Sequence, residues 1–200
     1  AAVFFCETPF ASDANTERVL TRDVEKAKAL LDEAGYDGTP VLLMHVTDIL
    51  AQDNTYSVLK PMLEEAGFVV EVQTTDWATV ATRRASKEPV ENGGWNVFIT
   101  GWGFIDQSNP MTNVYVAGAG QDGWFGWAHS DELQDLRAQF ASTSDLEEQK
   151  QLAEKMQVLT HDLVSFIPLG QTFPFQGIAS NVDGYIESPV PFFWNLARSQ

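Results

Sequence analysis

The 200 residues carry 28 Asp and Glu against 12 Lys and Arg, a formal charge of −16 with the three histidines neutral. That balance excludes a nucleic-acid binder, which needs clustered Lys and Arg to neutralise phosphates, and it disfavours anionic membrane surfaces. With 44% hydrophobic and 20% charged residues the chain reads as folded and globular, and no apolar run nears the roughly 18 residues of a membrane helix.

The start, Ala1 to Glu7, lacks the basic and long apolar regions of a signal peptide, so the chain is read as cytosolic or as one whose processed front is absent. The first strong periodic segment, Thr21 to Ala34, places Val24, Ala27, Leu30, Leu31 and Ala34 on one helical face, and Gly35 ends it. Val41 to Val46 follows as a buried strand. A second helix, from about Gln52 to Ala66, presents Val58, Met62, Leu63 and Ala66, and Pro61 within it predicts a kink or a late start. Phe68 to Thr74 alternates apolar and polar residues as a half-buried strand does. A short helix after Asp76-Trp77 runs through Arg83 and Arg84, then a loop from Pro89 to Gly94 leads into an apolar strand, Trp95 to Thr100, expected to be central. The segment Lys28 to Tyr36 recurs as Lys60 to Phe68, one helix-to-strand turn used twice.

Between Gly101 and His129 the periodicity disappears while Gly, Trp, Asn and Asp accumulate, and a loop that long in a compact domain is usually functional. A helix from Ser130 to about Ala141 then buries Leu133, Leu136 and Phe140. Another starts at a capping box, Ser144-Asp145-Leu146-Glu147, and carries Leu152, Met156, Leu159 and Leu163. Phe166 to Gly170 reads as a short strand before a tail rich in Pro, Gly and aromatic residues. Alternating helices and strands argue for crossover connections, hence an α/β fold with a mixed, largely parallel sheet flanked by helices. No linker separates domains, so 1–200 is read as one unit.

Cofactor and metal chemistry find little support. Cys6 alone makes neither an internal disulfide nor a Cys-based zinc site; it is free, reading best as a small buried hydrophobe, or its partner lies outside this chain. His45, His129 and His161 have no ligand spacing around them, so no metal and no cofactor is expected. Gly118-Ala119-Gly120-Gln121-Asp122-Gly123 fits a dinucleotide loop only if a helix opens at the third glycine, and Trp124-Phe125-Gly126-Trp127 starts a helix poorly. With no nucleophile elbow, nothing points to an enzyme. Tryptophan stands out instead: Trp95 and Trp194 read as core, whereas Trp77, Trp102, Trp124 and Trp127 suit the wall of a ligand pocket. Asp106, four residues past Trp102, is a solvated acid, a helix cap or a carboxylate that meets a ligand ammonium.

Several of these segments together resemble the extracellular solute-binding proteins of the dipeptide and oligopeptide type. They are Asp23 to Gly38, Thr75-Asp76-Trp77, Gly93-Gly94-Trp95-Asn96, Gly101-Trp102 leading to Asn109-Pro110, and Ile167-Pro168-Leu169-Gly170-Gln171. The resemblance spans nearly the whole chain but only the C-terminal α/β lobe of such proteins. It implies a periplasmic, or extracellular and lipid-anchored, two-lobed receptor that closes on a peptide-like or other small solute and delivers it to the permease subunits of an ATP-driven ABC transporter. It further implies that 1–20 and 171–200 border the missing N-terminal lobe, and that Asp106, counted back from Pro110, pairs with a ligand ammonium. Counted forward from Trp102 it falls one residue late. Arg83, beside Arg84, could meet a ligand carboxylate or merely bridge surface acids. The alternative, prompted by acidity and aromatic residues, is a carbohydrate-binding module or glycosidase fragment.

Overall fold

The computed structural model describes residues 3–173, 175, 177–188, 190 and 192–198. Its internal contacts gather these into two compact units, 17–101 and the combination of 1–16 with 102–200, where the sequence reading carried one unit throughout.

The 17–101 unit opens with α1 (Thr16–Leu20) and α2 (Val24–Glu33), the latter capped by the Asp23 carboxylate, which accepts from the Lys26 N–H. A parallel sheet follows. Its centre is β1 (Val41–Val46), with β2 (Val70–Thr75) on one side and β3 (Val97–Phe98) on the other, and the crossovers run through α3 (Leu50–Glu65) and α4 (Trp77–Arg83). Leu43, Met44 and Val46 of β1 are buried with Tyr56, Val80 and Ile99. Each such side chain contributes about 1.5–3 kcal/mol of hydrophobic stabilisation.

Several expectations from the sequence are corrected by the structure. The apolar strand predicted over Trp95 to Thr100 shrinks to two residues at the sheet's edge. Its flanking hydrogen bonds go elsewhere: Asn96 Oδ1 accepts from the Leu42 N–H at 2.8 Å, and the Ile99 N–H donates to the Tyr56 hydroxyl at 3.1 Å. The buried face of α3 is Gln52 and Tyr56 with half-buried Leu59 and Leu63, while Val58 and Met62 are exposed. No residue of α2 is fully buried, and Leu30 faces solvent. α3 also runs unbroken through Pro61, whose lost N–H would have served the carbonyl of exposed Ser57, a position open to water.

The repeated segment does build one turn twice. After α2 the N–H groups of Gly35 and Tyr36 reach back to the carbonyls of Asp32 and Leu31; after α3 those of Gly67 and Phe68 reach Glu64 and Leu63. Both glycines hold positive φ, +70° and +108°, the left-handed closure that ends a helix without a Cβ clash. The residues that follow, Tyr36 and Phe68, then meet edge to face with ring centres 5.4 Å apart.

In the other unit α5 (Phe104–Gln107) is a single turn, and α6 (Asp131–Ser142) and α7 (Leu146–Leu163) form the hydrophobic scaffold. As expected, Leu133, Leu136 and Phe140 are buried, with Leu152, Ala153 and Met156 opposite them and Phe5 and Val116 filling in. The cap of α7 sits one residue later than the sequence suggests, because Asp145 rather than Ser144 accepts from the Glu148 N–H at 2.9 Å. Gln157, fully buried on α7, donates to the carbonyls of Ser12 and Ala14 (both 2.8 Å) and accepts from the Phe4 N–H (3.2 Å), tying the N-terminal segment down. No strand forms over 166–170, where Ile167 and Leu169 are exposed. The tail instead pairs β4 (Val182–Asp183) with β5 (Ala197–Arg198), antiparallel. Trp194, read as core, is 78% exposed, its ring against Phe192; half-buried Trp95 does pack beside the sheet core.

The twin turns differ in what surrounds their glycines. An alanine at Gly67 would place its Cβ 3.3 Å from Leu31 Cδ1, whereas at Gly35 it meets open space. Both substitutions are expected to destabilise by about 1–2 kcal/mol through the positive φ, with Gly67→Ala the more costly, as read from the shift of the urea midpoint.

Candidate functional site

The irregular stretch after Gly101 is held by side chains rather than by a ladder. Asn109 makes the first turn: its Oδ1 accepts from the Met111 N–H at 2.8 Å and its carbonyl from the Asn113 N–H at 2.9 Å, around buried Pro110. Asn113, 2% exposed, donates from Nδ2 to the Gln107 carbonyl at 3.1 Å and accepts at Oδ1 from the Tyr115 N–H at 3.0 Å. One amide thus fastens the end of α5 to the start of the next turn. From α6 the Arg137 guanidinium donates to the carbonyls of Met111 (2.9 Å) and Asn113 (3.4 Å). Burial lowers its pKa from the ordinary arginine value, yet a guanidinium stays charged at any physiological pH. The Ser165 hydroxyl, just beyond α7, donates to the Tyr115 carbonyl at 3.0 Å.

On this support stands a continuous run of rings. Trp102, 41% exposed, meets Trp124 edge to face at 4.9 Å; Trp124 contacts Phe125 at 4.7 Å and Tyr115 at 6.2 Å. Tyr115 stacks on Phe166 at 4.0 Å, and Phe166 leads inward to Phe4 at 5.0 Å and on to His161. Trp124 and Phe125, with Tyr115, Ala128 and Ser165, line a small, partly open hollow of about 10 Å³, the scale of about one water.

Of the residues singled out from sequence, Trp102, Asp106, Trp124 and Trp127 lie in this unit, and Trp77 and Arg83 in the other. Asp106 is exposed in the first turn of α5; the residue that caps that turn is Gly103. Trp127 is half-buried with φ +52°, and its N–H donates to the Trp124 carbonyl. Trp77 opens α4 behind its cap Asp76, receives the Arg84 guanidinium over its ring at 5.3 Å, and donates its backbone N–H to Asp48. Arg83 donates to the carbonyls of Gly93 (2.9 Å) and Gly94 (2.6 Å) and to Gln73 Oε1, so its guanidinium clamps the 93–94 turn. The Gly118–Gly123 segment forms the short turn Gly120–Asp122 and an antiparallel bridge from Ala119 to His129, and no helix opens after it. Cys6 is half-buried rather than buried, and its thiol donates to the Val3 carbonyl. Among the described residues no cluster of metal-ligating side chains occurs, and no helix is long and apolar enough to cross a membrane.

Sequence reasoning missed the support: Asn113, Arg137, Tyr115 and Phe166. For Asn113 the signal existed, because an Asn in an irregular stretch often accepts from the backbone two residues on.

Comparison with known proteins decides the family. The sequence profile of the bacterial extracellular solute-binding proteins, family 5, middle region, matches residues 4–124. The chain belongs to this family. A curated relative, a probable peptide ABC transporter periplasmic-binding protein of Sinorhizobium fredii, is 36% identical over 177 residues, covering 88% of this chain and 33% of that protein. This family-5 chain therefore spans about a third of its relative's length. Its mixed α/β fold is that of periplasmic binding proteins: DppA of Helicobacter pylori, solved with the peptide STSA, superposes with a TM-score of 0.65 at 22% identity, over 89% of this chain and 35% of DppA. AgaA of Agrobacterium tumefaciens R10, solved with agropinic acid, gives 0.62 at 21% identity, over 82% of this chain and 34% of AgaA. The carbohydrate-module alternative finds no support in either the family match or the parallel sheet.

Two outcomes are expected from this geometry. Replacing Asn113 by Ala strands the Gln107 carbonyl and the Tyr115 N–H at once, a loss of about 2–4 kcal/mol if both stay dry. Hydrogen exchange should then accelerate across 107–116 and leave α7 protected. The second concerns Asp76, whose carboxylate accepts from the Thr79 N–H and hydroxyl (both 2.9 Å), which hold its pKa below the ordinary 3.8. Because the folded value is the lower one, the cap contributes fully above the unfolded pKa and is lost as pH falls through the folded value. In an NMR titration the Thr79 amide should shift with a midpoint below 3.8, and the shift should vanish in Asp76→Asn.

Proposed function

We propose that the chain is the C-terminal part of a non-catalytic periplasmic receptor that closes on a peptide-like solute and hands it to the permease of an ATP-driven transporter. The observation that carries this reading is the pairing of Trp102 and Asp106, an exposed indole and an exposed carboxylate four residues apart, on a stretch anchored by Asn113 and Arg137. An exposed aromatic face offers a solute something to pack on, and an exposed carboxylate offers its ammonium a charge-assisted hydrogen bond. The peptide-binding designation of the S. fredii relative and the peptide in DppA support the same solute class.

In this reading 1–200 is one lobe of a two-lobed protein, with 1–20 and 171–200 bordering the other lobe. Trp124 and Trp127 back the Trp102 wall. Any part that Arg83 takes runs through the 93–94 turn it clamps. The receptor works outside the cytoplasm, with the permease subunits as its protein partners and without a cofactor or metal of its own.

Calorimetry on the receptor at its natural length, with di- to pentapeptides bearing free or acetylated N-termini, tests this directly. Asp106→Asn is expected to weaken free-amine peptides roughly tenfold or more, the value of a desolvated charge-assisted bond of about 1.5–3 kcal/mol. Acetylated peptides should be indifferent to the change, and the melting temperature of the empty protein should hold. A fall in melting temperature with unaltered affinity would make Asp106 structural and overturn its assignment.

A further inference from the structure

Next to Asp106 stands a side chain that the anchoring network does not use. The backbone carbonyl of Gln107 accepts from Asn113, but its side-chain amide is dry at both Oε1 and Nε2 and finds no hydrogen-bond partner for either among the described residues. Buried amides are almost always paired, because an unpaired donor or acceptor forfeits its hydration for nothing. Here both ends of one amide are unpaired, and a methionine of similar length would fill the same space without that penalty. The residue lies on α5, one position from the carboxylate and five from Trp102, in a four-residue turn preceded by glycines at 101 and 103.

We propose that Gln107 is a solute-reading residue: on binding, its amide leaves its dry setting and pairs with a peptide group of the solute, the Nε2–H donating to a carbonyl and Oε1 accepting from an N–H. A donor and an acceptor side by side on a planar, uncharged group complement a peptide bond. Asp106 then takes the terminal ammonium while Gln107 takes an amide further along the chain, so the pair selects peptides over free amino acids. In this proposal the side-chain torsions of Gln107 rotate while its backbone carbonyl stays paired with Asn113. The unpaired amide in the empty protein lowers stability, and the bound solute relieves that cost, which couples binding to the rearrangement.

This inference rests on the peptide-receptor reading, and the test separates the two. In the receptor at its natural length, Gln107→Met and Gln107→Ala are compared with wild type by thermal unfolding without solute and by calorimetry with tri-alanine and the panel above. For Gln107→Met the melting temperature should stay level or rise while affinity for panel peptides falls about tenfold. A binding peptide remade with an ester in place of one internal amide should lose affinity in wild type and lose no more in Gln107→Met. Gln107→Ala should lose the same affinity, so a variant that folds poorly does not decide the matter. If wild type binds panel peptides and the variants bind equally well, or if Gln107→Met melts several degrees lower with affinity intact, the glutamine is structural and this inference alone fails. If wild type is silent to every peptide, the receptor reading fails and removes the amide partner with it.

Discussion

The buried side chain of Asn113 is the constraint on which the candidate site depends. A long stretch without a ladder must still satisfy its backbone N–H and C=O groups wherever it leaves water. Asn113 does this at the pivot, donating to the end of α5 and accepting from the turn that carries Tyr115. Arg137 reaches from α6 to two carbonyls of the same stretch, and Ser165 holds the Tyr115 carbonyl from beyond α7. The helices are rigid because Leu133, Leu136, Phe140, Leu152 and Met156 interlock without solvent. That rigidity passes through three polar side chains into the rings of Tyr115 and Trp124, and from there to Trp102 at the surface.

The sheet unit is held together differently. Its parallel pairing of β1 with β2 runs through six residue pairs in register, and each of these strands follows a helix closed by the same glycine turn. A parallel pair needs a helical crossover, and a crossover needs a reliable way to leave the helix and begin the strand. Using one turn ahead of both strands sets Tyr36 against Phe68 and fixes the two starting points side by side. The short third strand is held by Asn96 and Tyr56 side chains in place of a longer ladder, which leaves the chain after Phe98 free to depart from the sheet.

Family membership and fold leave the solute open for a physical reason. DppA with a peptide and AgaA with agropinic acid superpose on this chain about equally well, so the scaffold they share does not choose the solute. Choice lies with side chains on anchored irregular segments. In this chain those segments carry acids and indoles.

Local patterning sufficed for what depends on near neighbours. The strand from Val41 to Val46, the buried faces of α6 and α7, the two glycine stops and the period-two strand, read over Phe68 to Thr74 and formed over Val70–Thr75, were all legible, because each is decided by residues within a turn or two of one another. The segments that carry the family resemblance were legible for the same reason, as a succession of such local pieces in order. What the tertiary structure alone decided involves partners distant in the chain. Which face of α3 is buried depends on Tyr56 meeting Ile99, and the length of β3 depends on Asn96 meeting Leu42, pairings separated by tens of residues. Trp194 sits in an apolar setting in the sequence yet lies exposed, since burial requires a surface to cover it and no run of neighbours supplies one. The candidate site divides along the same line: Trp102 and Asp106 stood out by type and spacing and Asn113 carried a local turn signal, whereas the reach of Asn113 to the Gln107 carbonyl and of Arg137 to Met111 comes only from the folded chain.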